Sequence, residues 1–152
     1  MADVFSNESR SYVMSQIKSK NTKLEQIVRK YLFSNGFRYR INNKHIPGHP
    51  DIILPKYNTV IFVNGCFWHM HENCSIFSMP KSNQEYWVPK LTGNKNRDVK
   101  NISRLKEMGW HVIVVWECEL KKKIVRDERL KMLVKELNDN FYNDLINRLD
   151  NL

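Results

Sequence analysis

The amino-acid sequence predicts an α/β fold in which helices flank a mixed β-sheet, and three observations carry that expectation. Segments toward both ends repeat apolar residues at helical spacing. The middle holds short apolar runs, Asp51–Leu54, Thr59–Asn64 and Trp110–Trp116, punctuated by proline, glycine and asparagine. A knot of cysteine, histidine and aromatic residues, Cys66 to Cys74, follows the second run. With 152 residues and no linker-like tract, internal repeat or low-complexity stretch, residues 1–152 are expected to form one domain with its own core.

Residues 1–20 form an N-terminal arm, where Tyr12, Val13, Met14 and Ile17 give a weak helical pattern between Ser9 and Lys18. A helix starts at Thr22-Lys23-Leu24-Glu25, a capping box in which the threonine hydroxyl accepts the Glu25 amide proton while Glu25 reaches back. Leu24, Ile27, Val28, Tyr31 and Leu32 share one face, and Asn35-Gly36 supplies a left-handed stop. Phe37-Arg38-Tyr39-Arg40-Ile41 alternates apolar and charged residues and reads as a half-exposed strand. With turns at Pro47-Gly48 and Pro55–Asn58, it opens a meander continued by Asp51–Leu54 and Thr59–Asn64.

From Ser82 to Lys106 the pattern is helical again, with Pro89 tolerable only in a first turn or at a kink. Met108-Gly109 ends it, and Trp110–Trp116 reads as a buried strand. Lys121-Lys122-Lys123 is a basic link. Residues 126–150 close the chain as an amphipathic helix through Leu130, Leu133, Val134, Leu137, Phe141, Leu145 and Leu149.

Lysine and arginine outnumber aspartate and glutamate by 25 to 16, and the net charge of +9 favours polyanionic partners such as nucleic acid. The N-terminus lacks the basic-then-apolar pattern of a secretory leader, and no stretch has the length to cross a bilayer. A soluble, cytoplasmic protein with no membrane partner is expected. Three cysteines cannot all pair, and two lie beside histidines, so metal ligation is favoured over a disulfide framework.

Cys66-x4-His71-x2-Cys74 offers three ligands, and Cys118, after the last strand, is the one remaining thiol. A closed Cys3His set selects zinc and describes a structural site that ties the knot to a distant strand. Phe67 and Trp68 sit in the loop so stiffened, where no periodicity buries them, and form an aromatic wedge. Asp51 opens a strand and is the best carboxylate for magnesium, while His69, an imidazole, is of the residue type suited to a general base at neutral pH. Spacing alone leaves two questions open: whether Asp51 instead caps a turn, and whether His69 takes the place of His71 on zinc.

Pro50-Asp51, then Val60-Ile61-Phe62-Val63-Asn64-Gly65-Cys66-Phe67-Trp68-His69, then Asn101 to Trp110, and finally Val115-Trp116-Glu117-Cys118, together resemble the very-short-patch DNA mismatch repair endonuclease family. The resemblance runs from about Ser9 to Leu120. It implies a restriction-endonuclease-like core and a magnesium-dependent enzyme that nicks one strand 5′ to the thymine of a T·G mismatch, the product of 5-methylcytosine deamination. It further implies magnesium on Asp51 and the backbone carbonyl of Val63, His69 as activator of water, and zinc on Cys66, His71, Cys74 and Cys118. Glu25 matches an acidic residue of the family's active-site region. Phe67, Trp68 and Trp87 match its wedge, and Met14 its DNA-contacting arm.

Trp87 has an equal claim to a core-covering place. The partners implied are mismatched double-stranded DNA, bound by a monomer, and a functionally linked cytosine-5 DNA methyltransferase.

One departure bears on catalysis. Asn64 stands where the family pattern has a second histidine, and Val63 where it has a hydroxyl residue. Asparagine orients a water or a phosphate but shuttles no proton at neutral pH. Two alternatives therefore stand beside mismatch repair: a restriction-type nickase without mismatch preference, and a catalytically impaired, zinc-containing DNA-binding module. Lys90, Lys95, Arg97, Lys100 and Arg104 supply a basic run for phosphate contacts in any of the three.

Overall fold

The computed structural model describes residues 22–152, so the arm over residues 1–20, Met14 included, lies outside the described residues. The first helix, α1 (Lys23–Ser34), begins where the capping sequence predicts, with the Glu25 amide donating to Thr22 Oγ1 at 3.2 Å. It ends as expected at Asn35-Gly36, where Gly36 takes φ +86° and the Phe37 amide turns back to the Leu32 carbonyl. That turn sends Phe37 into the core.

Three strands form one sheet in the order β1 (Ile52–Leu54), β2 (Thr59–Asn64), β3 (His111–Trp116). β1 and β2 are antiparallel, and β2 and β3 run parallel with Thr59 opposite His111 and Asn64 opposite Trp116. The mixed sheet is as predicted; its expected first strand is not. Phe37–Ile41 contributes a single bridge, Arg40 with Ile53, through two hydrogen bonds of 2.8 and 2.9 Å. Asn42 then takes φ +59° and turns the chain away before a ladder can extend.

The crossover from β2 to β3 carries the knot and α2 (Gln84–Glu107). Pro89 lies in the second turn of α2, beyond the expected first turn. Its neighbours Val88 and Lys90 are exposed, so water can solvate the carbonyl that its missing N–H leaves free. After β3 come a short helix, α3 (Glu117–Lys121), and a long one, α4 (Lys123–Asp150). The basic link is thus a one-residue break, with extended backbone at Lys122, and the closing helix starts before residue 126.

Alternation along the strands feeds two cores. Ile52, Leu54, Ile61, Ile113 and Val115 pack with α1 and α4; Ile53 and Val60 pack with Leu105 of α2. β3 is only half buried, with Ile113 and Val115 inside, because it is a sheet edge; the sequence alone suggested full burial. Among the described residues no helix is long and apolar enough to cross a membrane.

Gly48 seats the loop leading to Asp51. At φ +78°, a Cβ there would lie 3.0 Å from Asn101 Cβ and 3.2 Å from the Phe62 ring. Gly48→Ala is expected to lower stability by about 1 to 3 kcal/mol in thermal or urea denaturation.

Candidate active site and metal centre

Asp51 immediately precedes β1. Its amide donates to the Ile61 carbonyl at 3.0 Å, and its Oδ2 accepts the Val63 amide at 2.7 Å, so the carboxylate is aimed along β2. Glu25, buried on α1, hydrogen-bonds the same carboxyl. Burial, opposed by the Val63 amide and reinforced by the Glu25 charge, pushes Asp51 up from 3.8 to about 7. Two carboxylates this close cannot both stay ionised without a proton or a cation between them. An oxygen-only pair fits a hard divalent ion. The Asp51 carboxylate thus bonds the Val63 amide, 12 residues on, and Glu25 serves the helix start through its backbone amide and Asp51 through its side chain.

His69 lies within electrostatic reach of Asp51. Its Nδ1 is 2.5 Å from Asp98 Oδ2, on α2. A carboxylate at Nδ1 holds the ring with its proton there and leaves Nε2 as the acceptor. Asn64, the last residue of β2, is buried beside the start of the knot.

The knot separates its two histidines. Met70, between them, takes φ +48°, and while His69 turns to Asp98, His71 turns to the thiols. His71 Nδ1 lies 3.5 Å from both Cys66 Sγ and Cys118 Sγ, and one ligand atom from each of Cys66, His71, Cys74 and Cys118 falls within 4.8 Å of the others. Zinc–sulfur bonds of about 2.3 Å and zinc–nitrogen bonds of about 2.0 Å at tetrahedral angles give an S···N edge of roughly 3.5 Å, so the set fits a zinc-sized ion.

Other contacts hold the set in shape. The His71 ring stacks on Trp116 at 3.9 Å and 6°, and the Cys66 amide donates to Glu117 Oε1 at 3.2 Å. Cys118 sits in the first turn of α3, its amide directed at Cys66 Sγ. Burial pushes the Cys66 thiol up to about 12, so that thiol surrenders its proton at neutral pH only to a cation.

Above the knot, Phe67 meets Trp68 and Trp87 edge-on at 5.2 and 5.4 Å, and Trp68 and Trp87 lie 5.9 Å apart. Trp87 is half-buried and packs on the aromatic group rather than on either of the two cores. Phe77 and Tyr86 extend the aromatic group. Asn94 donates to the Trp68 carbonyl at 3.1 Å, and Lys95 pairs with Glu72, so α2 braces the loop while Lys90, Arg97, Lys100 and Arg104 remain exposed.

Comparison with known proteins bears on this arrangement directly. The family model for the DNA mismatch endonuclease Vsr matches residues 2–75. The type II nicking enzyme V.NmeAIP of Neisseria meningitidis serogroup A is 52% identical over 139 residues, 91% of this chain and 99% of its own length. The DNA mismatch endonuclease Vsr of Escherichia coli K12 is 39% identical over 137 residues, 90% of this chain and 87% of its own. This chain belongs to the Vsr family.

A further relative, the type II nicking enzyme V.XorIIP of Xanthomonas oryzae pv. oryzae, is 45% identical over 134 residues, 88% of this chain and 98% of its own length. The mixed sheet is consistent with a restriction-endonuclease-like core in a Vsr protein. The stretch matching the Vsr family model holds Glu25, Asp51, Asn64, His69, His71 and Cys74, whereas Trp87, Asp98 and Cys118 lie beyond it. Asp98, Phe77 and Tyr86 are the site residues that sequence reasoning missed. The one signal for Asp98 was a lone carboxylate inside the basic run from Lys90 to Arg104.

Proposed function

We propose that this Vsr-family endonuclease nicks one DNA strand 5′ to the thymine of a T·G mismatch arising from 5-methylcytosine deamination, by magnesium-dependent hydrolysis. The observation carrying this reading is the half-buried Asp51, held near neutrality beside the buried Glu25 and within reach of His69. Asp51, with the Val63 carbonyl, would hold the magnesium, and Glu25 would support it. Bound there, the ion supplies charge stabilisation at the scissile phosphate and a more acidic water.

His69, with Nδ1 committed to Asp98, presents Nε2 to take a proton from the attacking water. Asn64, unable to relay that proton, orients water or a phosphate oxygen at the end of β2. The Cys3His set holds a structural zinc that fixes the knot on which the wedge stands.

Phe67, Trp68 and Trp87 enter the base stack beside the lesion. Unstacking costs a few kcal/mol per step and less at a mismatch, which favours the damaged site. Lys90, Arg97, Lys100 and Arg104, exposed on α2, contact phosphates and set register without reading sequence. An asymmetric lesion needs one protomer, so the enzyme acts as a monomer, in the cytoplasm, on sites made by a cytosine-5 DNA methyltransferase. A second reading, site-specific nicking without mismatch preference, is favoured by two relatives being named type II nicking enzymes.

Labelled T·G, T·A and C·G duplexes with magnesium separate the readings. Cleavage of the T·G duplex alone, in the thymine strand, supports repair. Equal cleavage of all three supports the second reading, and binding without cleavage marks an impaired DNA-binding module. Asp98→Asn is expected to slow single-turnover nicking about 10- to 100-fold with an unchanged thermal midpoint, since it disturbs only the imidazole's orientation and basicity.

A further inference from the structure

We propose that the open edge of β3 is a docking slot for an extended, acidic segment of a partner protein, a site separate from the DNA-cleaving centre. β3 pairs with β2 along one edge only. Successive residues of a strand turn their backbone groups to opposite edges. The His111 amide donates to the Asn58 carbonyl, on the β2 side, whereas the Trp116 amide donates to Glu119 Oε1 and the Val114 carbonyl accepts from Arg129, both outside the sheet. Val112, Val114 and Trp116 therefore face outward. Glu119 and Arg129, themselves paired at 3.0 Å, close the far end of the edge. At the near end the Val112 amide and carbonyl and the Val114 amide have no partner among the described residues.

A cleft of about 380 Å³ lies over that near end, floored by Trp110 to Ile113, with Lys106 of α2 on one wall and Glu136 and Asn140 of α4 on the other. Most of its polar side chains are already engaged: Glu136 with Arg129, the Asn140 amide with Thr59 Oγ1, and His111 with Asp144 at 2.9 Å. Lys106 alone has no ionic partner among the described residues, so the slot calls for a carboxylate. A free carboxylate metabolite would answer Lys106 and leave the strand edge unpaired. An added peptide strand answers both, with about four residues spanning roughly 13 Å and alternate side chains directed to each wall. Trp110 and Val112 share the Lys106 wall and offer apolar surface to the aliphatic stem of a glutamate reaching Lys106, and the net charge of +9 favours an acidic partner at long range.

The probe is a displayed library of random heptapeptides selected on the intact, metal-loaded chain, followed by synthesis of the consensus peptide. The expected consensus carries Asp or Glu at alternate positions. Its binding slows hydrogen exchange at the Val112 and Val114 amides, and Lys106→Glu weakens it about tenfold by exchanging one attraction for a repulsion, with DNA nicking unchanged. Selection of no acidic consensus, a bound peptide that leaves those amides unprotected, equal binding by Lys106→Glu, or full displacement by free succinate would each overturn the assignment.

Discussion

Asp51→Asn will abolish nicking and, in the same protein, raise the thermal stability of the metal-free form at pH 8. The two effects share one cause. Burial beside Glu25 lifts the Asp51 carboxyl from 3.8 to about 7. Between those values the folded chain holds a proton that the unfolded chain has released, so stability falls as pH rises through that window and the penalty is complete above it. Asparagine keeps the size and the contact with Val63 available but has no charge to desolvate. The gain is on the order of 2 kcal/mol once partial exposure is allowed for, or several degrees in the midpoint.

Activity moves the other way because a neutral amide cannot anchor a divalent ion against its water shell; a loss on the order of a thousandfold or more is expected. A linked pH effect follows for the wild type. At limiting magnesium, protons compete with the ion for Asp51, so the nicking rate should climb up to about pH 7 and level off, and raising magnesium should shift that climb to lower pH. Calorimetric melts and single-turnover rates across pH check both signs.

With zinc in the proposed Cys3His site, Cys118→Ser is expected to release the metal and unfold the knot while leaving Asp51 untouched. Residues 65–83 contain no regular helix or strand, so their shape depends on the thiolate set, the His71–Trp116 stack and the aromatic group. Cys118, on α3, is the one ligand outside the knot and so the tether to the sheet. Structural zinc sites in small domains contribute about 10 kcal/mol or more to folding, and a serine cannot replace the thiolate in the tetrahedron. The expected result is a protein with no zinc after dialysis, a midpoint lowered by about 10 °C or more, and nicking lost because the wedge and His69 are no longer held. Chelator should strip wild-type zinc far faster at pH 5 than at pH 8, since the high Cys66 value makes protons strong competitors.

Much of this was legible in the sequence because it is fixed locally. The Thr22 cap, the Asn35-Gly36 stop and the three apolar runs are decided by residues within a turn of one another. The Cys66, His71, Cys74 and Cys118 set was legible because three ligands are close in sequence and only one thiol remained. What escaped depended on neighbours distant in the chain. The alternation in Phe37–Ile41 cannot say whether a partner strand continues beside it, and only Arg40 found one. Asp98 stands 29 positions from His69, with no periodicity linking them. β3 looked buried because Val112–Trp116 is an unbroken apolar run, yet its place at the sheet edge is set by topology.

The most direct test is single-turnover cleavage of an end-labelled T·G duplex by the zinc-loaded protein, in magnesium and in EDTA. Cleavage at the phosphate 5′ to the mispaired thymine, present with magnesium and absent with EDTA, is the result this arrangement of Asp51, His69 and wedge requires. Nicking that persists in EDTA at the wild-type rate would contradict it.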